Sequence, residues 1–299
     1  MSIKTPYIWR NGEFIWWDEC TDHNVNHSLH YWSWVFEWIR FYSTDKWPKI
    51  FRLKEHIERL FYSAKVMNLK MDFSEEEVMK ACIDTVAKSG VESGYIRPIV
   101  YQSSDKMSVI ADNKIDVVIS VWPWGKYLWD HSVSVKIPKT RRIAPQTADM
   151  SAKVCGYYSN SILASQEILW TDFDEILLLD IENYIAEGSW ENVFFIKWNE
   201  IHTPELWTIL PWITRFSIIQ ILKERFNIDV IERKIKPEEI KDFDEAFFTW
   251  TAAEVTVIWN ITDEEWNKIE FKNELSEKIK TLYLDIVAWK EEQYIDWLY

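Results

Sequence analysis

Glycine is nearly missing from this chain, and glycine is what lets a backbone turn tightly or pass close to a ligand. Six glycines serve 299 residues, where the usual share of about 7% would give roughly 21. Tryptophan runs the other way, at 20. A residue with a Cβ is disfavoured wherever φ is positive, and an indole adds volume that a tight turn has no space for. Whatever fold forms must place bulky residues where most folds place the smallest one. Otherwise the composition is that of a folded protein. Apolar residues make up 47%, enough for a substantial core in one large domain or two ordinary ones.

The formal charge of −14 speaks against binding a nucleic-acid backbone, which needs a clustered basic surface. Cys20, Cys82 and Cys155 are odd in number, widely spaced and lack a C-x-x-C pair, so they indicate neither a disulfide framework nor a zinc site. The opening MSIKTPYIWR has no apolar signal core, and no apolar run reaches membrane-spanning length. A soluble, cytoplasmic protein is expected, with no metal, nucleic-acid or membrane partner.

Short strands and helices alternate in the first third. YIWRNGEFI (7–15) places Asn11-Gly12 between apolar flanks, a hairpin signal. In 53–69, Leu53, Ile57, Leu60, Ala64 and Met67 fall on one helical face, with Arg59 off that stripe. Ser74 with Glu77 forms a capping box for a second helix that closes at Gly90. Strands are predicted at 95–101 and 115–122. WPWGKYLWD (122–130) breaks the pattern and marks a domain junction. Beyond it strands are expected at 132–137, 175–180, 191–197, 228–234 and 245–250, and helices at 158–169, 214–226 and 274–289, the middle one capped by Thr214. The fold class is α/β with mixed sheets. A smaller domain spans 1–124, a linker 125–131, and a larger domain 132–299.

Six segments carry the chemistry: HYWSWVFEWIR (30–40), YIRPIV (95–100), SAKVCGYY (151–158), NYIAEGSWEN (183–192), ILPWITR (209–215) and FFTWTAAEVT (247–256). In order, and from about residue 6 onward, they resemble the branched-chain aminotransferases, pyridoxal 5′-phosphate (PLP) enzymes of fold-type IV. That resemblance implies a two-domain fold with a mixed, barrel-like sheet in the larger part. It implies exchange of amino groups between leucine, isoleucine or valine and 2-oxoglutarate. It also implies a homodimer or larger homo-oligomer, in which a loop matching 103–112 covers the neighbour's substrate.

Residue by residue, Lys153 matches the amine that links to the cofactor and moves the substrate Cα proton; burial and nearby positive charge are expected to lower its pKa. Glu187 matches the partner of the pyridine nitrogen, and Tyr158 the donor to the cofactor O3′. Arg59, Ile213, Thr214 and Thr251 match the phosphate cup, the helix start supplying backbone N–H groups. Tyr31, Phe36, Trp38, Tyr95, Trp124 and Tyr127 match the walls of the substrate pocket, Arg97 its cation, and Thr251 with Ala252 the carboxylate clamp. Read without the family, each aromatic is an ordinary core residue and Lys153 a surface charge.

Tryptophan stands where the family motifs have glycine at Trp32, Trp34, Trp38, Trp190, Trp212 and Trp250. Trp47, Trp129, Trp207 and Trp289 are grouped with these, and Trp16, Trp170, Trp198, Trp259 and Trp266 join them as weaker members; together with the glycines they reach the expected number. Trp9, Trp17, Trp122, Trp124 and Trp297 read as ordinary tryptophans. Cys155 and Tyr157 also differ from the family's usual Gly and Asn after the lysine. Two other functions compete with branched-chain transamination. One is a related fold-type IV activity, D-amino-acid transaminase or aminodeoxychorismate lyase. The other is a non-catalytic homologue whose site is filled by tryptophan.

Overall fold

The computed structural model describes residues 3–44, 47–124, 131–251 and 254–299. The chain packs as two compact units, 1–125 with 152–156 and 286–299, and 126–151 with 157–285. Five residues around Lys153 thus belong to the first unit by packing.

The first unit holds β1 (Tyr7–Arg10), β2 (Glu13–Trp16), α1 (His27–Tyr31), β3 (Trp34–Phe36), β4 (Ile39–Tyr42), β5 (Lys49–Ile50), α2 (Leu53–Val66), α3 (Glu75–Ser89), β6 (Gly94–Gln102) and β7 (Ile115–Pro123). Its strands form one antiparallel sheet in the order β2-β1-β7-β6-β4-β5, with β3 also on β6. Asn11 and Gly12, both at positive φ, close the β1–β2 hairpin, the primed turn that matches strand twist. The predicted stripe of α2 is buried at Leu53, Ile57, Leu60 and Ala64. Arg59, off that stripe, is buried as well. Ser74 and Glu77 make the capping box of α3, and Gly90 ends it in the left-handed conformation.

The second unit contains β8 (Val133–Lys136), α4 (Tyr158–Ser165), β9 (Glu175–Leu179), β10 (Ile185–Gly188), β11 (Asn192–Lys197), β12 (Glu200–Thr203), α5 (Ile213–Phe226), β13 (Val230–Glu232), β14 (Glu245–Trp250), β15 (Glu254–Thr262) and β16 (Lys268–Glu270), with most of α6 (Glu274–Val287). Its sheet is mixed, ordered β10-β9-β8-β15-β14-β11-β12-β13 with β16 on β15. The pairs β8–β9, β8–β15 and β12–β13 are parallel. A core of Val133, Val135, Leu177, Val193, Phe195, Ala246 and Ile258 lies on it. The second unit departs from expectation in its strands and in one cap: β10, β12, β15 and β16 are additional strands, and Trp212, not Thr214, occupies the N-cap of α5. Among the described residues no helix is long and apolar enough to cross a membrane.

Candidate active site

Lys153 is fixed through its backbone. Its N–H donates to Ser63 Oγ of α2 at 2.9 Å, its carbonyl accepts from the Phe36 N–H at 3.3 Å, and Val154 bridges Val35 of β3. The side chain is 1% exposed. Its Nζ lies 5.0 Å from the Phe36 ring centre and 5.4 Å from that of Trp38. Arg97 faces the same two rings at 4.9 and 4.6 Å, so two cations share one aromatic wall. Tyr95 meets Trp124 edge-on at 5.0 Å and Trp38 at 6.4 Å. Five of the residues predicted for the substrate pocket (Phe36, Trp38, Tyr95, Arg97 and Trp124) therefore form one cluster with the amine. Tyr31 is exposed at the end of α1, its ring against His27. Tyr127 and Ala252 lie outside the described residues.

Glu37 stands between Phe36 and Trp38 in the two-residue link from β3 to β4 and has other partners. Its carboxylate accepts from Arg59 Nε at 2.6 Å, Arg59 Nη2 at 2.8 Å and His56 Nδ1 at 2.8 Å. Burial pushes the Glu37 carboxyl up, but the Arg59 guanidinium and His56 more than reverse this and hold it at about 2. Burial lowers the His56 pKa in spite of Glu37. The pair's stabilisation is thus complete above the ordinary carboxylate value of 4.5 and is lost as pH falls through about 2. Glu37→Gln leaves a buried guanidinium without its countercharge. It is expected to cost about 3 kcal/mol or more in urea unfolding at pH 7, and a loss under 1 kcal/mol, about what a surface pair contributes, would show the pair to be incidental.

In the second unit Glu187 sits on β10, buried among donors. Oε1 takes Arg142 Nε at 2.9 Å and Nη2 at 2.8 Å. Oε2 takes the Trp212 indole N–H at 3.2 Å and Asn192 Nδ2 at 3.3 Å, and the Leu210 N–H lies 3.3 Å from both oxygens. Burial raises the Glu187 pKa, and Arg142, Trp212 and Leu210 pull it only partway back. A Cβ on the next residue, Gly188, would stand 2.5 Å from Glu191 Oε2 and 3.2 Å from the Phe248 ring, so a larger residue there would displace both side chains.

Glu191 and Glu175 form a buried acidic pair, with Ser189 Oγ donating to Glu175 at 2.9 Å and the Trp190 N–H to Glu191 at 3.1 Å. Burial raises the Glu175 pKa to about 7; burial and the nearby Glu175 carboxylate raise that of Glu191 well above its ordinary value. A raised carboxyl stabilises the fold at low pH, and that contribution is lost as pH rises through the folded value. The melting midpoint is therefore expected to fall as pH rises through about 7, and Glu175→Gln to flatten this dependence. A midpoint that does not fall as pH rises from the ordinary carboxylate value of 4.5 to about 7 would contradict the raised Glu175 carboxyl.

The N-cap Trp212 gives α5 no side-chain cap, so the helix start at Ile213 and Thr214 has no side-chain acceptor of its own for its N–H groups, the arrangement that suits an anion. Thr251, just past β14, is 2% exposed, and its hydroxyl has no hydrogen-bond partner among the described residues. A buried hydroxyl of this kind is one that a ligand oxygen would satisfy. Trp250 stacks on Trp190 at 5.1 Å with planes 5° apart. Tyr158 opens α4, half-buried. Arg142 was missed at the sequence level. Its only signal was a basic pair, Arg141-Arg142, ahead of an apolar residue.

A model of the class IV amino-transferases matches residues 34–261. The branched-chain-amino-acid aminotransferase of Pseudomonas aeruginosa is 37% identical over 302 aligned residues, covering 99% of this chain and 98% of the relative. A branched-chain aminotransferase of Thermoproteus uzoniensis, solved with norvaline, superposes with a TM-score of 0.93 at 35% identity, covering 99% of each chain. The branched-chain amino acid aminotransferase of Escherichia coli gives 0.91 at 33%, again covering 99% of each chain. A further solved branched-chain aminotransferase, complexed with N-(5′-phosphopyridoxyl)-L-glutamate, gives 0.94 at 36%. With an amine buried beside the aromatic wall and a carboxylate held by Arg142, the chain belongs to the class IV aminotransferases, among the branched-chain-amino-acid aminotransferases.

Proposed function

We propose that this protein moves the amino group between branched-chain L-amino acids and 2-oxoglutarate, with PLP as cofactor. The observation that carries the reading is Lys153, a buried amine held by its backbone against Phe36 and Trp38. The residues present suit the group: an amine, a buried carboxylate, an open helix start and the unsatisfied hydroxyl of Thr251. When bound, PLP supplies an aldehyde and an electron-withdrawing pyridine ring.

The chain's own groups do the rest. Lys153 would hold the cofactor through its amine and, as a free amine once substrate takes that place, would carry the proton at the substrate Cα, which suits a base in an apolar wall. Glu187, oriented by Arg142, keeps a proton on the pyridine nitrogen. Tyr158 donates to O3′. Arg59, Thr251 and the N–H groups at Ile213 and Thr214 bind phosphate. Phe36, Tyr95 and Trp124 exclude water around an aliphatic side chain, and Arg97 with the tyrosine hydroxyl admits glutamate in its turn.

The protein acts in the cytoplasm as at least a homodimer. Val109 and Ile110 support this: they stand out from the loop at 103–112, Ile110 being 94% exposed, where a second copy would cover them. Light scattering should give a dimer or larger, and an active monomer would contradict it. The rival non-catalytic reading draws on one contact, the Trp212 indole on Glu187. Borohydride separates the two. Reduction with PLP should bleach a visible band and fix one pyridoxyl group on Lys153, located by peptide mass spectrometry; no band, or label on other lysines, would remove the catalytic reading.

A further inference from the structure

Five tryptophans hold a left-handed backbone: Trp32 (φ 53°), Trp170 (70°), Trp198 (58°), Trp266 (70°) and Trp289 (63°). Each sits at a helix end or a turn. Trp32 is the C-cap of α1, its N–H on the Ser28 carbonyl. Trp289 follows α6, its N–H 3.0 Å from the Ile286 oxygen. Trp198 is the first of two residues between the paired Lys197 and Glu200, a position where a two-residue hairpin takes glycine. Trp266 ends a turn whose N–H reaches the Asp263 carbonyl oxygen at 3.1 Å. Trp170 lies in the turn where the Thr171 N–H meets the Ile168 oxygen at 3.0 Å.

Asn11, Asn68, Asn183 and Asn227 share this conformation, as short polar side chains do; an indole has no such reason. Tryptophan stabilises a protein through the area it buries, yet Trp170 is 94%, Trp198 83% and Trp266 67% exposed. At these places the indole buries little of itself, although Trp266 meets Phe173 at 6.1 Å and Lys136 Nζ at 4.8 Å, and it brings no conformational preference for positive φ. Glycine would suit every one of them. None of Trp9, Trp17, Trp122, Trp124 and Trp297, whose sequence settings are ordinary, has a positive φ. The backbone and the composition point the same way, since glycine falls short by about as many residues as tryptophan is in excess.

We infer that the protein made in its own cells carries glycine at positions 32, 170, 198, 266 and 289. One cause produces both the shortage and the excess: a codon, UGA, read as glycine in those cells and written as tryptophan under another code. Given the proposed function, the inference extends to the indoles at the cofactor groups. Without the Trp212 indole, Glu187 Oε2 loses one donor and keeps Asn192 Nδ2 and the Leu210 N–H. Without the Trp190–Trp250 stack, space opens next to Thr251.

The deciding experiment reads residues, not activity. Protein purified from its native cells is digested and its peptides sequenced by mass spectrometry. Glycine at the five positions is expected, and tryptophan there overturns the inference whether or not the enzyme transaminates. A second measurement tests the backbone argument on recombinant protein. Trp32→Gly, Trp170→Gly, Trp198→Gly, Trp266→Gly and Trp289→Gly combined should raise the melting midpoint by about 5 °C or more. Trp9→Gly, in a strand and buried, should lower it. A five-fold variant that melts no higher than its parent would count against the inference.

Discussion

Lys153→Ala abolishes amino transfer, lowering kcat by at least about 10⁴-fold, while the fold persists. The two halves of this expectation rest on different atoms. Structure around the lysine is carried by its backbone, the N–H on Ser63 Oγ and the carbonyl under Phe36, and alanine keeps both. Chemistry is carried by Nζ against Phe36 and Trp38, and alanine has no counterpart. Lys153→Arg sharpens the test. It keeps a cation over the rings but supplies a guanidinium that stays protonated and cannot accept the Cα proton, so it should be as inactive as alanine. Circular dichroism and the melting midpoint should stay close to the parent in both. Normal turnover in either variant would remove Lys153 from the chemistry.

Glu187→Gln is expected to lower kcat by about 10²–10³-fold without releasing bound PLP. An amide can still hydrogen-bond, but it brings no negative charge to keep the pyridine nitrogen protonated. The substitution also leaves Arg142 buried beside a neutral group, which is expected to cost about 3 kcal/mol of stability. Two readouts therefore separate a catalytic from a merely structural carboxylate. The primary isotope effect on substrate Cα–H cleavage should rise, and the nitrogen-15 shift of bound PLP should move toward the unprotonated value. If the variant only melts earlier, with single-turnover proton transfer unchanged, Glu187 acts through Arg142 on the fold alone.

What could be read from the chain directly were features whose causes lie within a few residues. Asn11-Gly12 closes its hairpin and Ser74 with Glu77 caps α3, because the turn and the capping box are satisfied by neighbours in sequence. The motif residues Lys153, Glu187 and Thr251 were legible through resemblance to a family, and chemistry in that family demands those residue types. The partners that give them their properties lie far off in sequence. Glu37 meets Arg59 across 22 residues and Glu187 meets Arg142 across 45. No local pattern links such pairs; only packing brings them together, and burial then makes each charge depend on the other.

β15 was missed although EVTVIWNIT alternates apolar Val255, Val257, Trp259 and Ile261 with polar residues, broken only at Ile258, which is a strand signal; in the fold β14 and β8 satisfy its backbone on both sides. Thr214 shows a local rule overruled, since the helix begins at Ile213 with Trp212 outside it and the threonine is drawn into the first turn. The chain by itself determined its local turns and caps, its glycine shortage and the residue types its chemistry needs. Only the tertiary structure decided which charges are paired, which buried hydroxyls lack a partner among the described residues, and which tryptophans sit at positive φ, because each depends on atoms that sequence distance keeps apart until the fold is made.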